Sequence, residues 1–300
     1  MKLYAPEYYK DFKCIANKCR HSCCIGWEID IDRKTADKYS KLCGGYGEEI
    51  KKSIDFDDVP HFVLADNDFC PHLNSQKLCK IILEMGEDCL CDICREHPRF
   101  YHSANNIKEV GIGLSCEEAC RLILSSDGYD RFVEVGYTED DFSDNKFDTL
   151  KLRAEIYSLL SSSSLSLEEK LKEIMQRYNV SPDTKTDFEW TELLVSLEYL
   201  EDGHKELLSA YSSHFSIDET AEKQLERLFA YFVFRHCTPT IDAEDFRTAL
   251  GFSLFCTKLI ASISTAHPEI GITEIARIVS EELEYSEENT DIIKLEFLFI

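Results

Sequence analysis

The chain has 300 residues, and its 57 acidic and 33 basic side chains give a formal net charge of −24. Such an acidic protein is a poor partner for nucleic acids or anionic membranes, because both attract basic surfaces. The acidic charge favours the approach of a lysine-bearing substrate, although solubility explains most of these residues. The length allows a large buried core, so the fold does not need disulfides to hold it together.

Cysteines are concentrated near the start of the chain. Twelve of the fourteen lie within the first 120 residues, about one residue in ten and far above ordinary usage. The first four, from Cys14 to Cys24, follow the spacing C-x4-C-x3-C-C. Only Cys237 and Cys256 come later. This density is typical of a metal site or of a disulfide scaffold.

The first residues of the chain favour the metal site. They contain no apolar signal-peptide segment and no small-residue cleavage motif, and we find no apolar run near the ~18 residues of a membrane span. We therefore expect a cytoplasmic protein, in which cysteine clusters bind metals or catalyse more often than they form disulfides. A disulfide scaffold would require export without a signal.

Composition changes near residue 125 and predicts three regions: a cysteine-rich metal-cluster region over 1–128, an acidic connector over 129–145 and a helical domain over 146–300. In the first region we expect short β-elements and two helices. The expected elements, in chain order, are a strand at 27–32, a hairpin at 72–79, a helix at 81–97, a hairpin at 99–114 turning at Asn105 and Asn106, and a helix at 116–124.

The second part of the chain reads as helices. Apolar residues recur at helical spacing along 167–178, 225–236, 250–260 and 272–283. Ser166 and Glu169 have the spacing of a capping box, and Pro239 ends the second of these helices. The predicted fold class is therefore mainly α, with short β-hairpins confined to the cysteine-rich region.

The cysteine spacing favours iron and sulfur over zinc. Structural zinc usually uses two C-x2-C pairs, whereas this chain has one, Cys91-x2-Cys94. Adjacent cysteines such as Cys23 and Cys24 seldom both bind one tetrahedral ion. The opening spacing fits an iron–sulfur cluster, or two neighbouring metal sites completed by later cysteines.

Several cysteines have simpler explanations than metal binding. We expect Cys43 in a loop and Cys89 and Cys91 packed on a helix. Cys120 shares a helix face with Cys116. Cys237 and Cys256 stand in apolar helical contexts, where a free cysteine acts as a small hydrophobic residue.

Several motifs together resemble the flagellin lysine N-methylases, and the first of them also resemble the wider zinc- and iron-chelating cysteine-cluster proteins. In chain order these motifs are C-x4-C-x3-C-C-x-G-W, Cys70-Pro-His-Leu, Leu78-Cys79-x-Ile, Glu87-Asp, Cys94-Arg-Glu-His-Pro-Arg99 and Leu114-Ser-Cys-Glu-Glu-Ala119. Two later segments, which contain Arg235 and Glu284-Tyr-Ser-Glu-Glu-Asn289, resemble the C-terminal segments of the same methylases.

The resemblance implies an enzyme that moves methyl from S-adenosylmethionine to the ε-amino groups of flagellin lysines, with a cysteine-bound [4Fe-4S] cluster. It places the metal ligands at eight positions: Cys14, Cys19, Cys23, Cys24, Cys70, Cys79, Cys94 and Cys116. Eight thiols exceed the four of one cubane cluster, so either some are spare or a second metal is bound.

Lysine methylation requires loss of the ammonium proton, whose pKa is normally about 10.4, and alignment of the free amine behind the methyl group. Candidate bases beside the cysteines are Glu87, Asp88, Glu96, His97 and Glu117, each of which also suits a solvated or structural role. Arg235 suits either the carboxylate of the cofactor or a glutamate of the protein.

The sequence lacks the familiar motifs for binding S-adenosylmethionine. No G-x-G-x-x-G follows a predicted strand, and Gly111-Ile-Gly113 is an isolated pair. The C-x3-C-x2-C of radical enzymes is also missing, since Cys24 directly follows Cys23. Two other functions therefore stay open: a metal-chelating or redox module without transferase activity, and a structural zinc protein that binds partners.

Overall fold

The computed structural model describes residues 1–104, 107–138 and 147–298. Its strands are β1 (Lys2–Pro6), β2 (Ile29–Asp30), β3 (Ile54–Asp55), β4 (His61–Phe62), β5 (Arg99–Ala104), β6 (Ile107–Ile112) and β7 (Phe132–Tyr137). Its α-helices are α1 (Arg33–Ser40), α2 (Gly45–Lys52), α3 (Lys80–Met85), α4 (Asp92–Glu96), α5 (Glu117–Ser125), α6 (Thr149–Leu160), α7 (Leu167–Tyr178), α8 (Asp187–Ser196), α9 (Asp202–Leu208), α10 (Glu219–Phe232), α11 (Ala243–Ala266), α12 (Ile272–Val279) and α13 (Glu287–Leu295).

The predicted fold class is confirmed, because helices make up 54% of the structure and the sheets are small. The chain forms two compact units. One is Lys13–Arg99, and the other joins Met1–Phe12 to the chain from Phe100 onward. We call them the cysteine unit and the helical unit. Their bounds differ from the regions drawn from composition. Part of the predicted connector forms β7, and its residues 139–145 lie outside the described residues.

The helical unit contains a four-stranded sheet in the order β5-β6-β1-β7. The first strand of the chain completes this sheet, since β1 pairs parallel with β6 and antiparallel with β7. Because the strands at 99–104 and 107–112 are neighbours, the predicted hairpin at 99–114 is confirmed in its strands. The turn at Asn105 and Asn106 lies outside the described residues.

The core of the helical unit is built around α11, which contacts α10, α12 and α13. Contrary to the sequence expectation, this 24-residue helix is long and apolar enough to cross a membrane. However, 78% of its most apolar window is buried inside the protein, as in the core helix of a globular protein. Cys256, on α11 itself, and Cys237 are fully buried, as expected of small hydrophobic residues.

Helix ends in this unit follow local sequence signals. The predicted capping box is confirmed: the Ser166 hydroxyl accepts from the Glu169 amide, and the Glu169 carboxylate accepts from the Ser166 amide. Helix α10 continues into a π-helical turn, Val233–Cys237, before Pro239. A second π-helical turn, Ser280–Glu284, follows α12. In π-helices the backbone bonds reach one residue further, and such turns are frequent at functional sites.

The cysteine unit has a three-stranded sheet in the order β2-β4-β3 and four short helices. Its core includes the fully buried rings of Tyr39 and Phe62. The predicted strand at 27–32 is present as the shorter β2. The predicted hairpin at 72–79 is also present, since Leu73 pairs with Cys79 and the Asn74 amide donates to the Leu78 carbonyl at 2.9 Å.

The prediction of one helix over 81–97 is wrong. The segment contains two short helices, α3 and α4, separated by a turn around Gly86. Gly86 has a φ of +85°, a backbone conformation that favours glycine and ends the helix. The following helix, predicted at 116–124, is confirmed as α5.

Candidate metal centre

Ten of the fourteen cysteines lie in the cysteine unit. Five of the ten line or join the hydrophobic core of this unit and interact electrostatically with one another. We call these five the thiol cluster: Cys24, Cys70, Cys79, Cys91 and Cys94. They come from four separate segments of the sequence, so the fold of the whole unit is needed to assemble them.

A pairing between two loops brings Cys24 next to Cys70. The Cys70 amide donates to the Cys24 carbonyl at 2.8 Å. Beside it, the Gly26 amide donates to the Asp68 carbonyl at 3.0 Å. Gly26 has a φ of +92°, which explains a glycine two residues after the cysteine pair.

Two cysteines of the cluster stand at helix N-termini. Cys79 directly precedes α3, and backbone N–H groups of Ile81 and Ile82 donate toward its sulfur. Cys91 directly precedes α4 and receives the backbone N–H of Cys94. Amide donors and helix N-termini stabilise thiolates, and the thiolate is the form that binds metals.

The cluster contains both acidified and strongly protonated thiols. The hydrogen bond with Cys23 lowers the pKa of Cys24 to about 7, although burial opposes it. The hydrogen bond with Cys94 likewise lowers the pKa of Cys91. Burial raises the pKa of Cys70 to about 12. The hydrogen bond to Cys91, burial and neighbouring thiolate charges all raise the pKa of Cys94.

These opposed pKa shifts have one physical cause. Five partly buried sulfurs repel one another as thiolates, so the protein alone keeps some of them protonated. A bound cation reverses this balance, because it favours the deprotonated form of every sulfur around it. The chemistry of the donor set therefore suits a thiolate-bound metal or an iron–sulfur cluster, and its members are the residues that would hold it, although no three of these sulfurs, all among the described residues, lie within 4.8 Å of one another.

His72 belongs to the Cys70-Pro-His-Leu motif but is held by other residues. The Ser53 hydroxyl donates its proton to the Ile50 carbonyl, so it accepts from Nε2 of His72 at 2.8 Å. Nδ1 then accepts from the Tyr46 hydroxyl at 2.6 Å. Burial lowers the pKa of His72 to about 4, which keeps the ring neutral. This histidine anchors the hairpin after Cys70 to α2.

Of the eight predicted ligands, the structure brings together Cys24, Cys70, Cys79 and Cys94. Three others belong to the same unit near its surface: Cys14 and Cys23 are exposed, and Cys19 is half-buried and donates to the His21 carbonyl at 2.9 Å. Cys116 lies in the helical unit, where it precedes α5. Their roles as ligands stay predictions.

Cys91 is the cluster member that the sequence analysis missed. Its C-x2-C spacing with Cys94 was the available signal, but the assumption of one long helix placed it on a packing face. Because α4 begins only at Asp92, Cys91 lies at a helix N-terminus instead, where its sulfur meets Cys94.

The five candidate bases differ in exposure. Glu87 and Asp88 are exposed on a turn between α3 and α4, whereas Glu96 and His97 are half-buried. The His97 ring packs edge-on against Trp27, with ring centres 5.7 Å apart. Glu117 lies in the first turn of α5 in the helical unit. The geometry singles out none of them, and their role as bases stays a prediction.

Arg235 pairs with a glutamate, the commoner of the two roles expected for it. Its Nε lies 3.3 Å from Oε1 of Glu284, and the same oxygen lies 2.7 Å from Nε2 of His236. Nη1 of Arg235 donates to the Tyr231 hydroxyl at 2.9 Å. Burial raises the pKa of Glu284, but Arg235 and His236 outweigh it, so the net pKa is lowered. The carboxylate is therefore ionised inside the protein.

This buried charge cluster is assembled by the two π-helical turns. The first carries Arg235 and His236, and the second ends at Glu284. The guanidinium of Arg235 lies 4.9 Å from the Phe100 ring centre, in the range of a cation–π contact. A Cβ at Gly113 would come within 2.8 Å of Nη1 of Arg235. The Gly-Ile-Gly motif is thus explained by close packing.

Across 1–104, 107–138 and 147–298, one group of three metal-ligating side chains has all its ligand atoms within 4.8 Å: His204, Glu281 and Glu282. Protein partners already occupy these groups. Nδ1 of His204 lies 2.6 Å from Glu282, and Arg277 donates to Glu281 at 2.8 Å. Glu282 also accepts from the Leu200 amide at 2.8 Å. This network joins α9 to the second π-helical turn.

The fold and the thiol cluster define a mainly α, cysteine-rich protein with the donors of a metal centre. Two proteins named lysine-N-methylase, from Salmonella choleraesuis and Salmonella typhimurium, are each 27% identical to it over 135 residues. The match covers 40% of this chain and 32% of each of those proteins. The flagellar biosynthetic protein FliU of Salmonella muenchen is also 27% identical, and the match covers 75% of it.

These matches confirm the resemblance to the flagellin lysine N-methylases that the motifs indicate. They span about a third of the two lysine-N-methylases. No family model matches the chain, and no solved structure matches it.

Proposed function

We propose that this protein is a lysine N-methyltransferase that transfers methyl from S-adenosylmethionine to ε-amino groups of flagellin in the cytoplasm. The similarity to proteins named lysine-N-methylase supports the reaction. The name of the flagellar biosynthetic protein FliU supports a flagellar substrate. The net charge of −24 is complementary to a lysine-bearing substrate and favours its approach.

We further propose that the thiol cluster holds an iron–sulfur cluster, of the [4Fe-4S] type. The observation that carries this proposal is the set of five cysteines around one hydrophobic core whose thiols interact electrostatically, two of them directly before helices and one with a pKa of about 7. A cubane cluster needs four thiolates, and we propose Cys79 as one of them; of the other four cysteines, three complete the set. When bound, such a cluster offers electron transfer or a Lewis-acidic iron.

The side chains of the protein have defined tasks in this scheme. The backbone amide of Cys94 favours the Cys91 thiolate, and the amides of Ile81 and Ile82 act in the same direction at Cys79, although burial raises the pKa of Cys79 overall. The apolar core of the cysteine unit lies against the cluster. The attacking lysine must lose its proton before transfer, and burial of the amine lowers its pKa in the required direction. Holding the free amine behind the methyl group is then a matter of position.

The first test uses protein purified without oxygen. We expect iron and acid-labile sulfide in the wild-type protein and a visible absorption that shifts when S-adenosylmethionine is added. Cys79→Ser should lose iron and colour, because it removes one cluster thiol. Cys43→Ser is the matched control, because Cys43 is an exposed cysteine of the same unit whose thiol contacts the Lys41 carbonyl.

The same experiment separates the rival functions. Colour that ignores S-adenosylmethionine would favour a redox or chelating module, which the five sulfurs alone support equally well. Zinc without sulfide in the wild-type protein would contradict the iron–sulfur proposal and favour a structural zinc centre. Retention of iron and colour by Cys79→Ser would contradict the assignment of the thiol cluster.

A further inference from the structure

We propose that a cavity on the helical unit binds a phosphate-bearing small molecule. The cavity has a volume of about 310 Å³ and lies between α5, α10 and the start of α12. We call it the basic cavity, after three of its lining residues, Arg121, Lys223 and Arg227. Three cations around one cavity stand out in a chain with a net charge of −24.

The cationic side chains of the cavity retain N–H groups that can donate to a ligand. Arg121 uses Nε and Nη2 for Glu118, at 2.7 Å each, which leaves its Nη1 to face a ligand. Lys223 pairs with Glu219 at 3.1 Å, but these side chains are 64% and 84% exposed. Such exposed pairs are weak and give way to a competing anion.

Arg227 provides the fixed part of the site. Its side chain is 15% exposed, and it donates to the Leu124 carbonyl and to Asp127. These bonds anchor the guanidinium at the cavity wall without filling the cavity, because Asp127 itself is 87% exposed and is not a lining residue. A planar guanidinium held in place is suited to the paired oxygens of a phosphate.

Backbone groups at the start of α12 add donors to the cavity. The start of α10 adds fewer, because the Asp218 carboxylate already accepts from the Ala221 amide. Thr220 lies in the first turn of α10 and Thr273 in the first turn of α12, and both line the cavity. Gly271 caps α12 without a side chain, so no side-chain oxygen occupies the amide groups of its first turn. Helix N-termini bind phosphate through such amides, and the threonine hydroxyls add further donors.

The volume of the cavity indicates more than inorganic phosphate. At ~30 Å³ per water molecule, 310 Å³ corresponds to roughly ten waters, which is larger than one phosphate group. The side chain of Leu124 supplies an apolar wall for an organic part. A phosphate monoester with a small organic group therefore fits better than the free ion. This proposal is independent of methyl transfer.

The test titrates the full chain in phosphate-free, low-salt buffer with adenosine monophosphate, inorganic phosphate and adenosine, followed by calorimetry. We expect saturable binding of adenosine monophosphate, weaker binding of phosphate and none of adenosine. Arg121→Gln and Lys223→Gln should each weaken binding about tenfold, the effect of one charge-assisted hydrogen bond. Both side chains are mostly exposed, so both variants should keep the wild-type melting temperature.

Lys172→Gln is the matched control, since it removes the same charge from the exposed face of α7. It should leave the affinity unchanged. Equal affinity for adenosine monophosphate and inorganic phosphate would overturn the proposal of an organic phosphate ester, since the volume of the cavity predicts tighter binding of the monoester. No saturable binding of either phosphate probe would overturn the proposal. Equal losses of affinity in Lys172→Gln and Lys223→Gln would also overturn it, because they would indicate a general attraction of the probe to positive charge.

Discussion

Replacing Glu109 by glutamine removes one charge from a buried ion pair between the sheet and the helices of the helical unit. Glu109 on β6 and Arg153 on α6 have side chains only 4% and 8% exposed. Both terminal nitrogens of Arg153 donate to the carboxylate at 2.7 Å, and Nη1 also donates to the Thr238 hydroxyl at 2.9 Å. The Phe132 ring lies 4.2 Å from the guanidinium carbon.

The expected cost of Glu109→Gln is about 3–5 kcal/mol, because it leaves the Arg153 charge buried without a countercharge. For a unit of this size, each kcal/mol lowers the melting temperature by about 2–4 °C. The double variant Glu109→Leu with Arg153→Met replaces the pair by apolar side chains of similar size. It should be close to wild type or more stable, since desolvation of both charges is then avoided.

The assay is equilibrium unfolding in urea, followed by tryptophan fluorescence, for the wild type, Glu109→Gln, Glu109→Leu, Arg153→Met and the double variant. Trp190 is fully buried in the helical unit and reports on its unfolding. The reasoning predicts a large destabilisation by each single replacement and a strong favourable coupling in the double-variant cycle. It would be refuted if Glu109→Gln lowered the free energy of unfolding by less than about 1 kcal/mol, the range of exposed ion pairs.

Two further predictions concern the helical unit. Gly111→Ala should destabilise it by about 1–3 kcal/mol, because the new Cβ would lie 2.2 Å from the Phe100 ring. Gly136→Ala, with no atom within 4 Å of its Cβ, should be neutral or stabilising in urea unfolding; equal effects would contradict this packing argument. Burial lowers the pKa of His204, but Glu282 and nearby carboxylates outweigh it, so the net pKa lies above the ordinary 6.5. The stability that His204 contributes is therefore complete below pH 6.5 and is lost as pH rises through the folded pKa. The difference between wild type and His204→Gln should shrink in that direction, and a difference that grows with pH would contradict the pairing.

Local signals in the sequence predict five of the thirteen α-helices of the described residues, namely α5, α7, α10, α11 and α12. They give no prediction for α1, α2, α6, α8, α9 or α13. Periodic apolar residues, the capping box of Ser166 and Glu169 and the stop at Pro239 all act within a few residues, so they can be read from the chain itself. The cysteine spacing likewise predicts a metal site. Four of the eight predicted ligands belong to the thiol cluster. The spacing of the cysteines along the chain predicts them because it follows the loops on which these cysteines lie.

Features that depend on contacts between distant parts of the chain could not be predicted from the sequence. Strand β1 joins β6 and β7, more than a hundred residues away, so the start of the chain belongs to the helical unit. The buried pair of Arg235 and Glu284 depends on two π-helical turns that no periodicity predicts. Cys91 was missed for a local reason: Gly86 adopts a positive φ and divides what the apolar pattern presents as one helix.

The central claim is that the thiol cluster serves methyl transfer to protein lysines. The most direct measurement is transfer of labelled methyl from S-adenosylmethionine to flagellin by anaerobically purified wild type, Cys79→Ser and Cys43→Ser. The account predicts labelled lysine with the wild type and with Cys43→Ser, and none with Cys79→Ser. Labelling by Cys79→Ser at the wild-type rate, or no labelling by an iron-loaded wild type, would contradict it.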